Sequence, residues 1–365
     1  MHKTSAWPLA AIYAVLIVFA SLFPFSGWRA QGLEPWMFLA APLPPPYWTG
    51  FDVTSNLIGY APLGFLLALA LLRTGWTRGA VWWAALAGSL LSLAMEFLQI
   101  YLPRRVPSNL DLVLNAAGTW LGALLAALLE RWGAIDRWSL FRGRWFVPDA
   151  RGALVLMALW PAALLFPAAL PFGLGQVLER LEAAIEQALQ DTPFIDWMPM
   201  RETVLEPLSP GGEALCVMLG LLVPSLLGYC VIRHVGRRAV FATGVLVIGV
   251  AVTALSAALS WGPAHAWGWL DEPVRVGVWA AAGMAVLLLM LPRRASAAVL
   301  LVALVWHLAL LNQAPTNVYF AQTLMQWEQG RFIRFYGLGQ WLGWLWPYVA
   351  LLYVLVRVSR KDAHP

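Results

Sequence analysis

Ten apolar runs punctuate the chain, at approximately 6–23, 54–72, 80–100, 109–129, 152–171, 213–232, 239–259, 275–291, 296–311 and 339–356. Each is close to the ~20 residues that a helix needs to cross a hydrocarbon core. The pattern predicts an all-α, polytopic integral membrane protein with about ten transmembrane helices. The first run follows His2 and Lys3 and has the look of a secretory leader, but Phe23-Pro24-Phe25 makes a poor cleavage site. It is therefore read as an uncleaved first span. Between the spans, residues 174–189 place Leu174, Val177, Leu178, Leu181, Ile185 and Leu189 on one helical face, away from Glu179, Glu182 and Glu186. An amphipathic helix lying on the outer leaflet or capping the bundle is expected there, with a lid as the alternative.

Composition supports the reading: 61% of the 365 residues are hydrophobic and only 12% are charged. The net charge of +5 does not imply nucleic acid, because the arginines sit in short clusters between apolar runs and not on one basic face. With the N-terminus in the cytoplasm, 16 of the 24 basic residues but only 4 of the 19 acids fall on the inner side. The positive-inside rule then puts both termini in the cytoplasm. The 22 tryptophans suit interfacial belts as well as packed cores. Cys216 and Cys230 share one run about 21 Å apart along a helix, too far to pair. His265 and His307 are isolated and offer no metal-ligand spacing.

This orientation brings three polar stretches to the outer ends of neighbouring spans. The first carries Asp52 and Asn56; the second Glu96 and Gln99, followed by Arg104 and Arg105; the third Ser108, Asn109, Asp111 and Asn115. Ionisable groups at membrane depth cost about 2.5 to 3.5 kcal/mol each at a helix centre, which makes them candidates for function. Asp52, Asn109 and Asp111 could equally serve as helix-start caps. Glu96 stands in the last turns of its span, where the helix dipole disfavours an anion, so a partner is required: Arg104, Arg105, Asn115 or a bound cation. Two adjacent arginines on the translocated side suit either an anion site or headgroup snorkelling. Asp52, Asn56 and Gly59 share the spacing of Asp111, Asn115 and Gly118, 59 residues apart, which raises a parallel repeat as one reading and chance as the other. Gly118 and Gly122 form a Gly-x-x-x-Gly step on which another helix can approach closely.

These residues resemble the VanZ-like family, named for a protein associated with resistance to the glycopeptide teicoplanin. The resemblance rests on Asp52, Asn56, Pro62, Leu63 and Gly64, on Glu96 and Gln99, and on Asp111, Asn115 and Gly118, in order on successive spans. It covers roughly residues 6–132, about a third of the chain, and implies a four-helix module of the bacterial cytoplasmic membrane linked to the cell envelope. Six further spans depart from the family, so a resistance phenotype does not transfer automatically. The expected organisation is a module at 1–132, a basic cytoplasmic linker at 133–151, and a six-helix region at 152–365 with outer loops 172–212, 260–274 and 312–338.

No G-x-S-x-G, P-loop, H-E-x-x-H or C-x-x-C motif is present, which argues against an enzyme without excluding one. The leading expectation is a non-catalytic protein whose outer polar cluster, Asp52, Asn56, Glu96, Gln99, Arg104, Arg105, Ser108, Asn109, Asp111 and Asn115, binds an anionic envelope lipid, a lipid-linked precursor or a glycopeptide. Membrane lipids are the expected partners and no cofactor is expected. Two alternatives stand beside it: a lipid or small-molecule flippase, and an enzyme using a divalent cation at Glu96 and Asp111 on a lipid-linked phosphate. Trp327, Arg331 and Arg334 in the last outer loop form a second place where a headgroup could be gripped.

Overall fold

The computed structural model describes the chain except residues 1–3, 5, 24, 33, 35, 44–49, 104, 167, 196–204, 316–332 and 360–365, with backbone alone at 51, 180 and 333–338. Among the described residues it is all-helical, apart from a single bridge between Phe146 and Ile232. Twelve α-helices are present there: α1 (Ala6–Leu22), α2 (Gly50–Arg73), α3 (Ala80–Gln99), α4 (Asn109–Arg131), α5 (Ala134–Trp145), α6 (Arg151–Leu165), α7 (Leu178–Leu189), α8 (Pro210–Val231), α9 (Val235–Trp261), α10 (Glu272–Leu287), α11 (Arg293–Leu311) and α12 (Ile333–Ser359). Eight are long and apolar enough to cross a membrane alone; α1 and α6 are the shorter apolar pair. This is a multi-pass membrane protein. Two compact units form, Met1–Phe141 and Arg142–Pro365. The stretch 133–151, expected as a linker, contains α5.

In the first unit, α2 and α4 run in the same direction and approach backbone to backbone. A Cβ added at Gly118 would overlap the Leu57 carbonyl, one at Gly122 the Ala61 carbonyl, and one at Gly64 the Thr119 carbonyl. Small residues are what permit this approach, since no hydrophobic force drives helices together in lipid. Ala68 of α2 and Ala123 and Ala126 of α4 extend the seam away from the polar end, clustered with Ala84 of α3. Gly88 brings α3 against the Thr119 side chain. Pro62, inside α2, removes one ladder donor, and the Tyr13 hydroxyl of α1 donates to the Gly59 carbonyl in that turn at 2.9 Å. Gly59 faces open space whereas Gly118 is pressed into the seam, so the two halves of the apparent repeat are not packed alike.

The second unit is built around α8, whose residues from Cys216 to Val231 are nearly all buried. A helix apolar on every side belongs at the centre of a bundle. Helices α10, α11, α9 and α6 pack on it. The span expected at 152–171 ends early, at Leu165, because Pro167, Pro171, Gly173 and Gly175 follow. The amphipathic helix expected from Leu174 starts at Leu178 instead. Between them lies buried irregular backbone, with Phe172 and Leu174 inside the core and Gly175 at a positive φ of 99°. Such backbone is tolerated at membrane depth only where protein satisfies it. Asn312 does so: its Oδ1 accepts from the Val177 and Leu178 amides at 3.1 and 3.0 Å, and its Nδ2 donates to the Gly175 and Leu308 carbonyls. Gln176 donates to the Leu311 and Ala314 carbonyls, and the Tyr348 hydroxyl donates to Gly175.

Candidate functional site

The polar motifs meet at one end of the first unit. Because Leu57 faces Gly118, Ala61 faces Gly122 and Gly64 faces Thr119, α2 and α4 run side by side in the same direction, and Asp52 stands near the start of α4. The loop 100–108 turns the chain from α3 into α4, so Glu96 and Gln99 arrive at the same level.

Glu96 is only 3% exposed, and its Oε2 accepts the Ser108 amide at 2.8 Å. Ser108 is the N-cap of α4; its hydroxyl in turn accepts the Asp111 amide at 3.3 Å. The carboxylate at the unfavourable end of α3 is thereby offset by free donors at the favourable end of α4. Asn109, 6% exposed, donates to the Ala41 carbonyl at 2.6 Å. Gln99 donates to the Ser21 carbonyl at 3.1 Å, and Arg105 donates to the Ala20 and Phe23 carbonyls at 3.0 Å each. Both therefore close the last turn of α1, where helix carbonyls lack intrahelical partners. The anion fork expected of Arg105 is thus committed in part to backbone. Arg104 lies outside the described residues, as do Trp327 and Arg331 and the side chain of Arg334.

Residues that sequence reasoning passed over complete the site. The stretch after α1 lies across the ends of α3 and α4: the Arg29 amide donates to the Tyr101 carbonyl, Gln31 donates to the Ile100 carbonyl at 2.7 Å, and Trp36 packs on Phe97. A short 3-10 turn, Met37–Ala40, follows with Phe38 buried. One turn below Glu96, the fully buried Ser92 accepts a hydrogen bond from the Asn115 Nδ2 at 2.9 Å, and Thr119 donates to the Asn115 carbonyl. Tyr60, 6% exposed, places its hydroxyl near those of Ser92 and Ser21 and within electrostatic reach of Glu96 and Asp111, yet makes no hydrogen bond of normal geometry. The Asn56 Nδ2 and the Asn115 Oδ1 are likewise buried without a partner.

The span order, the shared level of the motifs and the small-residue seam make the first unit one recognisable module. Residues 6–130 match the VanZ/LLP1 family. The match covers the N-terminal third of the chain and ends before the second unit. No curated protein and no solved structure matches the chain significantly. In the VanZ-like module, the matched stretch contains every residue of the polar end described above, from Tyr13 to Thr119.

The second unit has polar features of its own. A cavity of about 440 Å³ is lined by Leu178, Leu205, Leu308, Ala309, Asn312, Gln313 and Tyr348. His307, 3% exposed, sets its Nδ1 against the Cys216 carbonyl at 3.2 Å and ties α11 to α8. Among the described residues no three His, Cys, Asp or Glu side chains gather as metal ligands.

Proposed function

We propose that the VanZ-like module binds the headgroup of an envelope lipid, a lipid-linked precursor or a glycopeptide at the outward end of α2, α3 and α4, in a bacterial cytoplasmic membrane with both termini inside. Binding there would modulate envelope properties or antibiotic susceptibility without chemistry on the ligand. The observation that carries this reading is the buried Glu96, held by the α4 N-cap beneath the loop that follows α1. Such a position is costly in a membrane and is retained where it serves a ligand or a partner.

The balance of groups refines the ligand. Asp52, Glu96 and Asp111 bring three carboxylates to one level, while Arg105 donates to two α1 carbonyls. Hydroxyls or an amine of a headgroup suit the carboxylates, and an anionic group suits Arg105, whose side chain is only half-buried. Transport along the α2/α4 seam is disfavoured, because below Asn115 the seam closes on Gly118, Gly122, Ala123 and Ala126 with no polar path.

The test is mass spectrometry of lipids that copurify with the full chain. Wild type should carry a reproducible set of polar lipids, depleted in Glu96→Ala and in Asp111→Asn. An unchanged lipid profile in both variants rejects the reading.

A further inference from the structure

Below the charged level lies a second, neutral one. Glu96 and Ser92 stand four residues apart on α3, one turn or about 6 Å along the helix. Around Ser92 gather Asn115 from α4 and Tyr60 from α2, with Asn56 one turn away on the same face of α2 as Tyr60. Ser92, Asn115 and Tyr60 are all buried. Each of the other three leaves one polar atom unanswered: the Asn115 Oδ1 is an acceptor, the Asn56 Nδ2 a donor, and the Tyr60 hydroxyl both. Buried polar atoms are nearly always paired, and inside a membrane no bulk water compensates for those that are not. Three such atoms on two facing helices, two of them beside Ser92, mark a place built to be completed by something else.

The chemistry of the missing group follows from the donors and acceptors. None of Asn56, Tyr60, Ser92 and Asn115 is a carboxylate or a cation, so a charged ligand group would be stranded at this depth. A hydroxyl, which donates and accepts at once, satisfies an amide oxygen, an amide nitrogen and a phenol together. We propose that Tyr60, Asn56, Ser92 and Asn115 form an inner compartment that takes the hydroxyls of a sugar-bearing lipid headgroup, one helical turn beneath the charged rim. This inference rests on the reading under Proposed function and extends it: the rim holds the headgroup's outer part and the inner compartment reads its hydroxyls. A compartment filled by water alone is the competing occupant.

The experiment titrates the full chain with monoglucosyl diacylglycerol and, separately, with diacylglycerol of the same acyl chains, read by native mass spectrometry. Wild type should prefer the glucosyl lipid by about tenfold, the scale of one or two hydrogen bonds. Tyr60→Phe and Asn115→Leu should each bring the two lipids to near parity. Tyr60→Phe removes a hydroxyl that makes no hydrogen bond of normal geometry, so its melting temperature should stay level or rise while the preference falls, which a purely structural tyrosine would not show. A preference that survives both variants overturns the proposal, and equal binding of both lipids by wild type means that water alone fills the compartment. Glu96→Gln, run in parallel, separates the two levels. Loss of glucosyl-lipid binding in Glu96→Gln but not in Tyr60→Phe supports the rim and rejects the inner compartment; the reverse pattern rejects the rim and keeps the compartment. If wild type binds neither lipid, both readings fall.

Discussion

The two units solve the same problem by opposite means. In the VanZ-like module, glycines and alanines let α2 and α4 touch along their backbones, and the polar atoms gathered beside that seam are left partly unanswered. In the second unit, α8 is wrapped on all sides by bulky apolar residues, and the buried irregular backbone before α7 is answered by Asn312, Gln176 and Tyr348. Arginine serves both units alike. Arg105 closes the end of α1, and the buried Arg238, on α9, donates to the Ile232, Leu289 and Leu291 carbonyls. The contrast teaches that a buried polar group in a membrane protein is informative when its partners are missing. Where they are complete, as at Asn312, the group explains stability; where they are not, as at Tyr60 and Asn115, it carries the proposal of a ligand.

The sharpest way to break this comparison is Gly122→Leu, which drives a side chain into the Ala61 carbonyl and the neighbouring α2 backbone. A loss above about 4 kcal/mol is expected, the range reserved for severe overpacking, and denaturant titration in detergent should find the first unit unfolded or unrecoverable. Gly59→Ala is its control, because that glycine faces open space: stability should hold or rise by about 0.5 to 1 kcal/mol. Asn312→Ala comes next, with an expected cost of about 2 to 4 kcal/mol for stranding the Val177 and Leu178 amides; the Gly175 and Leu308 carbonyls keep the Tyr348 hydroxyl and the backbone amide of residue 312. Hydrogen exchange should rise at residues 175–180 while residues 109–123 stay protected.

Smaller effects test the arginine caps. Arg238→Met should cost about 2 kcal/mol and Arg105→Met about 1 kcal/mol, since Arg238 is buried and Arg105 only half-buried. Equal effects in thermal unfolding would show that burial does not set the difference. The smallest expected change is Tyr60→Phe. Removing a hydroxyl that makes no hydrogen bond of normal geometry should leave stability within about 0.5 kcal/mol or raise it, whereas the same removal at Tyr229, whose hydroxyl donates to the Ala285 carbonyl at 2.9 Å, should cost about 1 kcal/mol.

Among the described residues the ten apolar runs reappear as eight helices long enough to span and the shorter α1 and α6, because crossing a bilayer imposes a length and a composition that any sequence must display. The run at 152–171 misled at its end, since hydropathy counts Phe166, Ala168, Ala169 and Leu170 as apolar without weighing the turn that Pro and Gly impose. The charged rim was readable too, because carboxylates and amides stand out at the ends of greasy helices. Its companions were not: Ser92, Tyr60 and Thr119 sit inside apolar runs where a single hydroxyl draws no notice. The segment over the site escaped as well, because it docks partly through backbone groups, the Arg29 amide and the Ala41 carbonyl, which every residue carries.

The sequence by itself determined that this protein is all-helical and lies in a membrane with about ten apolar spans, and which end of the first module is polar, because hydrophobicity and charge act locally and add up along the chain. Only the tertiary structure decided which polar atoms are answered. Arg105 turned out to cap α1, Asn312 to replace a missing helical turn, and Asn115 and Tyr60 to keep an open valence, because hydrogen bonding depends on approach within about 3 Å between residues far apart in sequence.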